Sequence, residues 1–106
     1  MSSNNKRKLR DLDDVVNEML QSEEGRADSF LELALEEYEK DGDEGALLIA
    51  LRQVARAKGG VAKLAKKTGL SRESLYKTLS PFGNPKLKTL RIILNALGYT
   101  FKFQHV

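Results

Sequence analysis

The sequence predicts an all-α bundle with an N-terminal helical extension and one short C-terminal β-strand. Two observations carry that expectation. Apolar residues recur at helical spacing through six segments, punctuated by Gly, Pro, Asp and Ser. Only Tyr99-Thr100-Phe101-Lys102-Phe103 alternates aromatic and polar residues with the period of two that suits a strand.

Residues 1–10 are polar and basic without periodicity, and are expected to form a flexible basic tail. Leu12, Val15, Val16, Met19 and Leu20 follow the i, i+3, i+4, i+7, i+8 pattern of an amphipathic helix. After a break at residues 21–25, a second helix is expected from about Ser29 to Lys40. Its apolar side carries Phe30, Leu31, Ala34, Leu35 and Tyr38, with Glu32, Glu36, Glu37 and Glu39 outside. Residues 11–42 therefore read as an acidic helical arm. Asp41-Gly42-Asp43 is a turn, and Asp43 can cap the next helix. Residues 44–58 form the most apolar helix, and Leu47, Leu48, Leu51, Val54 and Ala55 should hold the centre of the core.

Gly59-Gly60 closes that helix, and residues 61–79 have the spacing of a helix-turn-helix. Ala65 is small where two helices would cross, and Gly69 can take the positive φ of a sharp turn. Leu70 plugs the corner, and the Ser71 hydroxyl can accept from free N–H groups of the following helix. With Leu64, Leu75 and Leu79 inward, Arg72, Glu73, Tyr76 and Lys77 are left outward. A helix lying in the major groove needs that set: Arg72 can pair with guanine, Glu73 can accept from cytosine N4, and cations flank them. Ser71, Ser74, Asn84 and Lys86 fall where such a unit meets the phosphate backbone. Residues 80–85 are a loop, with Asn84-Pro85 as a candidate start for the final helix. That helix should turn Leu87, Leu90, Ile93, Leu94 and Leu97 inward and stop at Gly98. Residues 43–98 thus form the expected DNA-binding domain, and residues 99–106 the strand segment. A lone strand needs a partner, so Tyr99, Phe101 and Phe103 are candidates for pairing with a second copy.

Charge is strongly segregated. Residues 1–10 carry a net +4; residues 11–44 hold fourteen acids against Arg26 and Lys40, a net −12; residues 45–106 carry a net +11. The basic half suits a polyanion, and the acidic block suits a basic protein. With no cysteine, disulfides, thiolate metal sites and thiol catalysis are excluded, and a reducing cytoplasm fits. No apolar run is long enough for a bilayer. Enzymatic activity, a metal and a cofactor are not expected. The one histidine, His105, adjoins the chain end, Glu36 and Glu37 face different directions, and Gly59-Gly60 lacks a phosphate-loop frame.

Three strings carry a family resemblance: residues 51–59, Leu-Arg-Gln-Val-Ala-Arg-Ala-Lys-Gly; residues 68–77, Thr-Gly-Leu-Ser-Arg-Glu-Ser-Leu-Tyr-Lys; and residues 79–85, Leu-Ser-Pro-Phe-Gly-Asn-Pro, continued by Leu94-Asn95-Ala96-Leu97-Gly98. On these the chain resembles the addiction-module antidote proteins, HigA-like antitoxins of type II toxin–antitoxin operons with a lambda-repressor-like domain. The likeness runs from about Phe30 to Phe103. It implies a small cytoplasmic protein that neutralises a RelE/ParE-like toxin and represses its own operon at an operator, and a homodimer is expected because a single helix-turn-helix contacts too few base pairs for selective binding. Such toxins are commonly basic, so Leu12, Val15, Val16 and Met19 on the acidic arm are the expected anchors of a helix-in-groove contact. A stand-alone transcriptional regulator without a toxin is the alternative, and a purely protein-binding helical module a third reading.

Overall fold

Six helices make up the structure, a computed structural model that describes residues 2–102 and 104–106. They are α1 (Ser2–Gln21), α2 (Arg26–Asp41), α3 (Glu44–Ala57), α4 (Val61–Thr68), α5 (Arg72–Thr78) and α6 (Leu87–Ala96). The side chains of α1 are described from Leu12 on. α1 takes in the basic stretch read from the sequence as a tail.

The helix ends follow from local chemistry. The Asp43 carboxylate accepts from the Ala46 N–H at 3.1 Å and caps α3. At the other end of α3, the Gly60 N–H donates to Ala55 C=O and the Gly59 N–H to Arg56 C=O, the paired bonds of a Schellman stop. α6 ends the same way: the Tyr99 N–H reaches Leu94 C=O at 2.8 Å and the Gly98 N–H reaches Asn95 C=O at 3.1 Å. α2 begins at Arg26, three residues before the sequence suggests, behind Gly25 and without a side-chain cap.

α3 is the axis of the bundle. α1 and α2 pack against it and each other on one side, and α4 follows on the other, with α5 and α6 resting on α4. Leu48, Leu51, Val54 and Ala55 of α3 meet Leu20, Ala27 and Leu31 from α1 and α2, and Val61, Leu64, Leu75, Leu79, Ile93 and Leu97 from beyond. Val54, Leu75, Leu79 and Ile93 are fully sealed. One core thus spans both charge blocks. At Gly45 in the first turn of α3, an added Cβ would lie 2.8 Å from the Pro81 carbonyl oxygen, so glycine there permits the loop after α5 to close over α3.

Several expectations are corrected. The strand expected at residues 99–103 is not found over 99–102, which carry no regular structure, and the described residues contain no strand. Tyr99 instead completes the Schellman stop of α6, so its N–H is spent within the chain and its ring turns onto the core. Phe103 lies outside the described residues. The Asn84-Pro85 start is the second correction, since α6 begins at Leu87 with Lys86 at the cap. Leu87 is 72% exposed rather than inward, because the first turn of α6 extends past the packed end of the bundle. No helix among the described residues is long and apolar enough to cross a membrane.

Candidate functional site

The corner between α4 and α5 is held by short-range bonds. Gly69 sits at φ +75°, where a side chain is strained, and its N–H closes α4 onto Ala65 C=O at 3.0 Å. The Thr68 hydroxyl donates to Leu64 C=O at 2.8 Å and accepts from the Leu70 N–H at 3.2 Å. Ser71 accepts from the Ser74 N–H at 3.0 Å and so caps α5. Leu75 and Leu79 fix the inner side of α5 with no exposure. The helix therefore has one available orientation, and Arg72, Glu73, Tyr76 and Lys77 are all exposed. None of the four takes part in an ion pair among the described residues. Ser71, Ser74, Asn84 and Lys86 are exposed as well.

Tyr76 has neighbours that the sequence did not suggest. It lines a cleft of about 310 Å³ with Arg52, Gln53 and Arg56 of α3, Gly60 and Val61 at the start of α4, and Asp13 and Asn17 of α1. Arg56 is tied across this cleft to the Asp14 carboxylate at 2.5 Å. The Asn17 side-chain oxygen is buried and has no hydrogen-bond partner among the described residues. Two arginines and the free N–H groups of a helix start thus stand beside α5. The signal was present as the α3 residues at 52, 53 and 56, which share one helical face, but only the tertiary arrangement brings them to Tyr76.

On the far side of α1, Leu12, Val15 and Met19 are 61%, 58% and 38% exposed. Val16 packs on the core beside the buried Leu20. Three of the four arm residues named from the sequence therefore form an unpartnered stripe, and the fourth anchors the helix that carries it.

A third cluster ties the acidic and basic blocks together. Lys58, at the end of α3, donates to Leu97 C=O at 3.1 Å, pairs with Asp28 of α2 at 3.3 Å, and lies 4.5 Å over the Tyr99 ring. The Tyr99 hydroxyl donates to the Asp28 carboxylate. That bond, with Lys58 adding to it, holds the Asp28 carboxyl below its ordinary range. Burial and the facing Asp28 charge push the Tyr99 phenol up. Tyr99 is thus used inside the subunit, while Phe101 is 45% exposed.

Comparison with known proteins gives one family. The family described as "Probable addiction module antidote protein" matches residues 9–105. A curated protein of Haemophilus influenzae, described as an uncharacterized protein, is 38% identical over 96 residues, 91% of this chain and 91% of its own length. No solved structure matches.

Proposed function

The chain belongs to the probable addiction module antidote family, and from that premise we propose an antitoxin that neutralises a RelE/ParE-like toxin and represses its own operon as a dimer on operator DNA. The observation that carries the DNA half is the exposed row of Arg72, Glu73, Tyr76 and Lys77 on a helix whose other side is sealed by Leu75 and Leu79. α4 and α5 act as a helix-turn-helix, with α5 in the major groove. Arg72 pairs with guanine, Glu73 accepts from cytosine or orients Arg72, and Ser71, Ser74, Asn84 and Lys86 contact phosphate. The start of α4, beside Arg52, adds donors for the same backbone.

The toxin half rests on the outward stripe of Leu12, Val15 and Met19 in an acidic arm, which suits a basic partner that takes a helix into a groove. Mobility shift with the chain's own promoter tests the reading. Arg72→Ala is expected to lose about 1–3 kcal/mol of specific binding and to relax the sequence preference. Unchanged operator binding in that variant would sink the assignment of α5.

A further inference from the structure

Two surface features of this chain complement each other. The first is Phe82, which stands 95% exposed at the tip of the loop after α5. Its segment, residues 80–88, carries Lys86 and Lys88 and no acid. The second is a groove of about 240 Å³ between α2 and the start of α3, with Phe30, Leu33, Ala34 and Leu47 as its apolar floor. Glu37, Asp41 and Asp43 stand on its rim. The Asp41 and Asp43 carboxylates are fixed by backbone N–H groups, from Asp43 and Ala46 respectively. At that size the groove falls below the range of about 300–1,000 Å³ usual for small-molecule sites, and suits one side chain.

We propose that a second copy of this chain seats its Phe82 in this groove, and offers its own groove to the Phe82 of the first. The inference rests on the dimeric reading above and supplies the interface that the missing strand does not. Charge complementarity favours this occupant, since a segment that carries Lys88 and no acid meets an acidic rim, Lys86 being left to the phosphate backbone. Reciprocity is favoured by position. The Pro81 carbonyl closes over Gly45 in the turn that begins with the Asp43 cap, so loop and groove adjoin on one molecule. Adjoining patches can be exchanged about a two-fold axis, which closes the assembly at two rather than extending it into a chain. Because the loop directly follows α5, the same contact fixes the separation of the two α5 helices, as half-site reading requires. The two rings alone bury about 300–500 Å² of the about 1,600 Å² of a standard interface, so the loop and rim around them have to supply the rest, and self-association is sensitive to either feature.

The full-length chain serves for the test. In sedimentation, the unmodified protein is expected to dimerise, and Phe82→Ser and Leu33→Arg each to weaken dimerisation about 30-fold or more. Both positions are exposed, and circular dichroism checks that each variant is folded. Because the chain has no cysteine, mixing Phe82→Cys with Ala34→Cys under oxidising conditions should give a covalent heterodimer faster than either variant alone gives its own homodimer, since only the mixed pair is held in register. A dimer indifferent to both substitutions overturns the proposal. So does a monomer at tens of micromolar, and so does a monomer in which Leu33→Arg abolishes toxin capture, which would assign the groove to the toxin. Operator binding by a monomer would remove this interface and leave the antitoxin reading intact. A cross-linked dimer that binds no operator would keep this interface and remove the DNA half of the proposed function.

Discussion

α5 and α1 are both amphipathic, yet they treat their apolar residues in opposite ways. Leu75 of α5, with Leu79 at its end, is sealed in the core, and what faces solvent is charged or hydroxylated. α1 buries Leu20, half-covers Val16 and leaves Leu12, Val15 and Met19 outward. The first arrangement is complete without a partner and offers polar groups for recognition. The second leaves aliphatic surface in water at a cost of about 25 cal/mol per Å², which a partner would recover. A polar row suits base edges and phosphates, and an apolar stripe suits a protein groove. That difference is the reason for giving the two helices different partners.

The largest expected effect comes from breaking what the two regions share. Leu75→Ala opens a cavity beneath α5 in the common core, so stability should fall by about 2–5 kcal/mol in urea unfolding. Operator binding and toxin neutralisation should then fall together. Loss of only one would mean that the regions fold independently, against the single core described above.

The next variant separates the regions. Truncation before Asp43 cannot do so, because it strips Leu20, Ala27 and Leu31 from the core along with the arm. Leu12→Glu with Val15→Glu touches only exposed positions. Fully burying an aliphatic side chain of this kind in a partner contributes about 1.5–3 kcal/mol. Neutralisation of the proposed RelE/ParE-like toxin should be lost, with operator affinity and unfolding midpoint unchanged. Retained neutralisation would move the toxin contact elsewhere on the chain.

A smaller effect belongs to the cationic half. Lys86→Ala should weaken binding to all duplexes about equally and reduce the salt slope by about 1. A loss confined to the operator would make Lys86 a reader of bases instead of phosphate.

How much of this was legible in the sequence depended on range. Asp43, Gly69 and Ser71 act within four residues of themselves, so their roles follow from residue type and spacing, as does the inward face of α3. The cleft beside Tyr76 and the groove between α2 and α3 depend on how helices pack, which spacing does not state. The pairing of Asp14 with Arg56 spans 42 residues, and that of Asp28 with Tyr99 spans 71. The strand expectation failed over Tyr99–Lys102 for a related reason. Period-two alternation was real, but the competing Schellman stop after Gly98 claimed Tyr99, and a strand without a neighbour has no ladder to form. Leu87 kept the helical period of α6 and still lies in solvent, because a period gives direction and not the extent of the core.

The smallest expected effect tests the junction of the two regions. Tyr99→Phe removes the hydroxyl that donates to Asp28 while keeping the ring under Lys58. Asp28 is about half exposed, with a side-chain exposure of 51%, so the loss at neutral pH should be less than about 1 kcal/mol. Its pH dependence is more diagnostic than its size. The Asp28 carboxyl is held down in the fold, so its share of the stability is present above the unfolded value near 3.9 and is lost as pH falls through the lower folded value. The Tyr99 phenol is held up, so its share is present below the unfolded value near 10 and is lost as pH rises toward the higher folded value. Unfolding of the parent chain and of Tyr99→Phe should therefore differ most between about pH 5 and 9, and converge toward either extreme. A difference that stays constant with pH would mean that the ring alone, and not its bond to Asp28, joins the end of α6 to the acidic half.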